Sequence, residues 1–270
     1  MRTSRKRPSL LADRGYAGER CQADATMSLF CGDMMLRFCD LVERLASYIL
    51  FYCKDLTMIP WRLKALVSAR FPLAYHLLVN IGTRGNSRAH WDEALAKTWH
   101  QRTWPTKNRL IESLTSKEDV ILDVGCGNGS VLRYLQSRGY RNLEGLEISE
   151  YAVNRLNSEG ILMHRGMLPK LVIPDASYNV VIASQVLEHV IRRRTLVREI
   201  RRVLKPGGRA FIFVPDNCLG PIDEPEHVMV YTAGSLKRFL SSYFLVLDVR
   251  TMKDENYEIP ILFAQVVRRP

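Results

Sequence analysis

The chain has 270 residues, 47% of them hydrophobic and 25% charged, which suffices for one large core with a smaller appendage and excludes a disordered polymer. A formal net charge of +11 favours acidic partners, whether nucleic acid, anionic lipid or an anionic small molecule. The charge is partly local, in Arg2, Arg5, Lys6 and Arg7 and in the run from Arg192 to Lys205, so solvated faces account for it as readily as a binding surface does.

Residues 1–33 are rich in Arg, Gly and Ala and carry no periodicity, so a disordered basic N-terminus is expected there. Its start runs into charge instead of an apolar stretch, so no signal peptide is expected. Residues 34–90 are expected to form a helical extension. Leu36, Leu41, Leu45, Tyr48, Ile49 and Tyr52 make a broad apolar face, and Pro60, Pro72 and Gly82 divide the remainder of the extension into short helical pieces. That face needs covering, by the main domain, by a second copy in a homodimer, by a membrane surface through residues 34–82, or by closing as a lid over a hydrophobic substrate. No segment reaches the roughly 20 apolar residues of a transmembrane helix. Lys54 and Asp55 interrupt one apolar stretch, and Pro72, His76 and Asn80 break the next.

Six cysteines (Cys21, Cys31, Cys39, Cys53, Cys126, Cys218) form no CxxC pair and have no neighbouring histidine. That spacing supports neither a disulfide framework nor a metal site and fits a reducing compartment, so a cytoplasmic protein, optionally peripheral to a membrane, is expected.

From Trp91 to the end, apolar strands alternate with amphipathic helices. A helix over 90–114, broken near Pro105, precedes strands at 120–124, 142–148, 161–165, 179–184, 209–215, 244–250 and 261–267. The intervening helices 130–139 and 149–160 each open with Ser and close with Gly. The helix from Thr195 stops at Pro206-Gly207-Gly208, and Thr232 is an N-cap candidate for the last one. This alternation predicts an α/β domain over 91–270 with a Rossmann-like, seven-stranded, mostly parallel sheet covered by helices on both faces.

Ligands of such sheets bind beyond the carboxyl ends of the central strands, where "DVGCGNG" (123–129) follows the first strand. Gly125, Gly127 and Gly129 let the backbone turn sharply and approach a ligand, and Glu147, ending the second strand, can accept hydrogen bonds from both ribose hydroxyls. A dinucleotide and an adenosyl ligand both satisfy this much. The spacing is GxGxG and not the GxGxxG that receives a pyrophosphate, and Asp123 suits a ligand carrying a positive amino group.

This combination resembles the class I S-adenosylmethionine-dependent methyltransferases, in their small-molecule branch. Residues 171–190, 198–215 and 226–240 are similar to that family's fourth-strand, fifth-strand and pre-final-helix segments, in order. The resemblance implies that S-adenosylmethionine is the cofactor. Asp123, Gly125, Cys126, Gly127 and Gly129 would line its methionine part. Glu147 would hold the ribose, Ile148, Met167 and Leu168 would flank the adenine, and Ser184, Gln185 and Val186 would lie under the methionine. Two positions depart from the family pattern. Met167 replaces the usual Asp that accepts from the adenine amino group, a loss of about 1 kcal/mol, and Tyr178-Asn179 stands where Phe-Asp is common.

Methyl transfer requires placement of the nucleophile, and a general base only where the acceptor must lose a proton. His227 and His189 are the candidate bases; His164, in a strand, is expected only to pack. The segment "ASQV" (183–186) lacks the Asn/Asp-Pro-Pro-Tyr of enzymes that methylate base or amide nitrogens, and Cys218 lacks the partner needed for cytosine-C5 chemistry. The expected acceptor is an O, N or C atom on a small or amphiphilic molecule. An RNA-directed enzyme and a non-catalytic cofactor-binding protein remain as alternatives.

Overall fold

The structure is a computed structural model, and the residues it describes are 61–80, 86–101 and 103–270. Expectations for residues 1–60, including the basic start and the apolar face of 34–55, lie outside the described residues.

Seven strands form one sheet in the order β3-β2-β1-β4-β5-β7-β6. They are β1 (Ile121–Val124), β2 (Leu143–Glu147), β3 (Leu162–Arg165), β4 (Tyr178–Ser184), β5 (Leu204–Pro215), β6 (Leu245–Asp254) and β7 (Tyr257–Val267). β1 through β5 pair in parallel, and β7 inserts antiparallel between β5 and β6. All four residues of β1 are buried, as expected of a strand flanked by two others and covered on both faces.

The alternation along the strands sorts the core into two layers. Leu122, Val181 and Ile212 point into one with Leu196, Ile200, Leu236 and Leu240. Ile121, Ile182 and Phe211 point into the other with Ile111, Leu132, Leu135 and Leu156. The first layer is capped by α7 (Arg193–Val203) and α8 (Ala233–Ser241), the second by α4 (Pro105–Ser113), α5 (Ser130–Ser137) and α6 (Glu150–Ser158). Ahead of these come α1 (Trp61–Arg70), α2 (Pro72–Val79) and α3 (Arg88–Thr98). Pro72 opens α2 at its first turn, where its missing N–H costs nothing. No helix among the described residues is long and apolar enough to cross a membrane.

Several boundaries differ from the sequence expectation for identifiable reasons. α7 ends at Val203 because Leu204 already pairs with Tyr178, and the Pro206-Gly207-Gly208 turn is a bulge within β5, not a break before it. β6 and β7 run longer than expected and meet in a hairpin, with Asp254 paired to Tyr257. Ser130 does not cap α5. Gly129 precedes that helix in the left-handed conformation, with no side-chain cap. Ser149 and Thr232 do cap theirs, and Thr232 forms a reciprocal capping box with Ser235.

His164 and Tyr178 do more than pack. The His164 ring nitrogen lies 2.6 Å from Glu144 Oε2, and the Tyr178 hydroxyl donates to the same oxygen at 2.6 Å. Asn179 Oδ1 accepts from the Val120 N–H and from Lys205 Nζ, both at 3.1 Å. The departure at 178–179 thus supports strand edges.

Thr232→Ala should lower the unfolding free energy by about 1 kcal/mol in urea titrations. Gly129→Ala should cost more, because its φ of +68° carries the left-handed penalty of about 1–2 kcal/mol and a Cβ there would sit 2.5 Å from Leu156 Cδ2. Equal effects of the two variants would contradict this packing.

Candidate functional site

The glycine turn leaves β1 beside the carboxyl end of β2. The N–H groups of Gly125 and Cys126 both donate to the Leu146 carbonyl, at 2.7 and 3.3 Å. Gly125, Gly127 and Gly129 all take positive φ. A Cβ on Gly125 would lie 2.7 Å from Val186 Cγ2, so the turn rests directly on the segment after β4. Gly127 faces a more open space, where a Cβ would meet only Leu95 Cδ2, at 3.7 Å.

Glu147 is buried yet well supported. Its Oε2 accepts from the Gly127 N–H at 2.9 Å, and its Oε1 accepts from the N–H groups of Ile148 and Ser149 at 2.8 and 3.0 Å. Burial still pushes the carboxyl above its ordinary range, with the three backbone donors pulling the other way. The turn after β2 is pinned from α3, since Asp92 Oδ1 accepts from the Ser149 hydroxyl at 2.7 Å and the Tyr151 N–H at 3.1 Å.

Asp123 is 2% exposed, and its Oδ1 has no hydrogen-bond partner among the described residues. Lys107, on α4, is buried in the same place. Its ammonium donates to Ser184 Oγ at 2.8 Å and stands 4.5 Å from the centre of the Trp104 ring. Burial pushes the Asp123 carboxyl up and the Lys107 ammonium down, while each draws the other back toward its charged form. The β6–β7 hairpin fixes Lys107: Asp254 Oδ2 accepts its backbone N–H at 2.9 Å, and Tyr257 stacks on Trp104 at 3.7 Å.

The other sequence-predicted residues surround this centre or flank it. Ser184 ends β4, Gln185 follows with φ of +56° and a buried side-chain amide nitrogen lacking a partner among the described residues, and Val186 abuts the turn. Ile148 and Leu168 are half-buried, and Met167 stands out with 70% exposure. The Cys126 thiol is raised well above its ordinary value by burial and by Asp123 and Glu147, which makes it a poor nucleophile.

The two candidate bases come together. The rings of His189 and His227 meet edge to face at 4.5 Å, and Trp91 packs edge-on against His189 at 5.4 Å. His227 is buried and sets Nδ1 against the Leu219 carbonyl, and burial lowers its basicity. Helix α2 covers this loop. His76 Nδ1 lies 2.9 and 3.0 Å from the carbonyls of Pro225 and His227, and Asn80 Nδ2 donates to the Pro225 carbonyl at 2.7 Å. The described part of the N-terminal extension therefore packs over the His227 loop. Beside the histidines, Glu188 is 1% exposed with neither carboxylate oxygen partnered among the described residues, and burial pushes it up to about 8.

A family profile described as a methyltransferase domain matches residues 122–212, spanning β1, the glycine turn, Glu147 and β4. Residues 122–212 thus carry a methyltransferase domain, on a fold shared with solved S-adenosylmethionine-dependent methyltransferases. S-adenosylmethionine is the methyl donor of that family. The chain is 32% identical over 139 residues to the 27-O-demethylrifamycin SV methyltransferase of Amycolatopsis mediterranei, covering 47% of this chain and 51% of the relative. It is 30% identical over 166 residues to the 24-methylenesterol C-methyltransferase 2 of Oryza sativa, covering 57% and 46%. The chain thus spans about half the length of these curated relatives. An S-adenosylmethionine-dependent methyltransferase from Thermotoga maritima shares the fold with a TM-score of 0.53 at 16% identity, over 67% of this chain and 99% of that one.

Lys107 and Glu188 are buried beside the glycine turn and the histidine pair, and neither was expected there from the sequence pattern of strands and turns. A signal for Lys107 existed: Trp104, Lys107, Asn108 and Ile111 fall on one helical stripe, so a lysine occupies a core-facing position.

The buried pair gives a pH test. A carboxyl raised by burial holds its proton more tightly folded than unfolded, so its contribution to stability falls as pH rises. Lys107 opposes that fall by favouring the Asp123 carboxylate. Lys107→Met should therefore extend the loss of unfolding free energy to pH values above about 7, where the wild-type Asp123 carboxyl has released its proton. Urea titrations giving parallel pH profiles for variant and wild type would contradict the pairing.

Proposed function

We propose that the chain transfers a methyl group from S-adenosylmethionine to an O, N or C atom of a small or amphiphilic acceptor. The observation that carries this reading is the convergence of Asp123, Glu147 and Lys107 on the glycine turn at the carboxyl ends of β1, β2 and β4. The residues present fit the cofactor: Asp123 keeps an oxygen unpartnered among the described residues for an ammonium group, and Gly125 admits no side chain against Val186. When bound, S-adenosylmethionine supplies an electrophilic methyl on a sulfonium.

Each protein group has a part in this reading. Glu147 accepts from the ribose hydroxyls, with its orientation set by the backbone N–H groups of Gly127, Ile148 and Ser149. Asp123 and Lys107 receive the ammonium and carboxylate ends of the methionine part. Cys126, Ser184, Gln185 and Val186 form the floor beneath it, and Ile148, Met167 and Leu168 flank the adenine. His227 and His189 face the acceptor. Because His227 sets Nδ1 against a carbonyl, which only accepts, and burial favours the neutral ring, its Nε2 lone pair is suited to take a proton from a hydroxyl acceptor.

Two features support the acceptor class. The relatives carry names that give a demethylrifamycin and a methylenesterol as their acceptors. Exposed Leu63, Leu66, Phe71, Leu73 and Leu77 lie on or between α1 and α2, next to the loop that bears His227. This apolar surface is the proposed place for an amphiphilic acceptor to approach, and for contact with a membrane surface or a second copy. The basic run favours nucleic acid less, since Arg202 is spent on Glu199, Asp175 and the carbonyls of Leu171 and Ile173.

Calorimetric titration of the folded chain with S-adenosylmethionine should show binding below about 1 mM, and none at that level would overturn the proposal. Glu147→Ala should weaken binding about 10–100-fold, for a lost charged acceptor worth about 1.5–3 kcal/mol. Label carried from the cofactor into the lipid or small-molecule fraction of a cell extract supports the acceptor class. Binding without any transfer would favour a non-catalytic cofactor-binding protein.

A further inference from the structure

The cluster formed by Glu188, His189 and His227 has features that methyl transfer alone does not require. One carboxylate oxygen of Glu188 and one ring nitrogen of each histidine all lie within 4.8 Å of one another. Glu188 and His227 are buried, at 1% and 6% exposure, and neither Glu188 oxygen has a hydrogen-bond partner among the described residues. A buried carboxylate with both oxygens unpartnered is costly unless something cationic completes it.

We propose that Glu188, His189 and His227 form a binding site for one first-row divalent cation of the zinc or manganese class, on the acceptor side of the domain.

The chemistry of the set supports this assignment. Two imidazoles and one carboxylate are a donor set used by catalytic zinc, with a fourth position left for water or substrate. Imidazole donors favour zinc-like cations over magnesium or calcium, which prefer all-oxygen shells. Tetrahedral ligands at about 2.0–2.1 Å from a cation lie about 3.3 Å apart, so small side-chain rotations close the present cluster onto one ion.

The surroundings are those of a ligand set already oriented. Both histidines set Nδ1 against a backbone carbonyl, His227 against Leu219 and His189 against Glu226 at 3.3 Å. A carbonyl only accepts, so Nδ1 carries the proton and the ring lone pair sits on Nε2. This is the outer-shell arrangement that fixes the tautomer of metal-bound histidines. The backbone adds a further tie, as the Val228 N–H donates to the Glu188 carbonyl at 2.6 Å and locks the two ligand-bearing segments together. Lys107 acts electrostatically on Glu188, yet its ammonium is engaged by Ser184 and also faces Asp123 and Asp254, so the cluster is not built around it. His227 lies far along the chain from Glu188 and His189, with no CxxC or HxxxH spacing, which is why no metal motif is visible in the sequence.

Cation binding is measured without turnover; a His227 Nε2 that holds a cation does not serve as the base, and only the cation's use on an acceptor rests on the proposed methyl transfer. Full-length protein stripped with a chelator should take up one equivalent of zinc or manganese in equilibrium dialysis with metal analysis. Co2+ in its place should give the ligand-field bands of bound nitrogen and oxygen donors. Glu188→Gln and His227→Ala should each reduce that uptake at least tenfold while S-adenosylmethionine titration still shows a folded, cofactor-binding domain. Stoichiometric uptake with ligand-field bands supports the site even if a variant fails to fold. No uptake by the wild type, or uptake unchanged in a folded variant, overturns it. Failure of cofactor binding with intact cation uptake would instead count against the proposed function alone.

Discussion

Two carboxylates held at the buried ends of adjacent parallel strands set the terms for the rest of this protein. Asp123 and Glu147 stand at the carboxyl ends of β1 and β2, where neighbouring strands and helices remove them from water. The desolvation is opposed differently at each. Glu147 gains three backbone N–H donors from the glycine turn and from the start of α6, whereas Asp123 depends on the charge of Lys107 and retains an oxygen unpartnered among the described residues. The turn that gives Glu147 its donor can exist only because Gly125, Gly127 and Gly129 adopt positive φ, and Gly125 because Val186 leaves no room for a Cβ.

Elements distant in sequence serve this centre. The β6–β7 hairpin lies at the antiparallel edge, yet Asp254 and Tyr257 reach back to hold α4 and so place Lys107. Helix α3 ties the start of α6 through Asp92 and packs Trp91 on His189. Helix α2 engages the loop from Pro225 to His227 through His76, and Asn80 just beyond it adds a bond to the same loop. The loop that bears His227 is therefore covered by α2, which links the exposed leucines of α1 and α2 to the proposed approach of an amphiphile.

Local pattern made the order of elements, the glycine turn after β1 and the place of Glu147 at the end of β2 legible, because strands alternate every two residues and turns need glycine at fixed positions. It could not reveal the hairpin's length, which depends on pairing between β6 and β7, nor the bulge that lets β5 begin at Leu204. The His164–Glu144–Tyr178 contact was equally hidden, since each partner sits on a different strand. Lys107 was visible as a lysine on an apolar stripe but needed the fold to acquire a meaning. The meeting of Glu188, His189 and His227 arises from a loop folding back over the end of β4, a contact with no local signature.

The central claim is that the turn from Gly125 to Gly129, with Glu147 and Ile148, receives S-adenosylmethionine. Amide resonances recorded during titration of the isotopically labelled full chain test it most directly. The account predicts shifts at Gly125, Gly127 and Ile148, with Leu247 and Glu258 on the outer hairpin unmoved. Saturable binding that leaves Gly127 and Ile148 unshifted would contradict it.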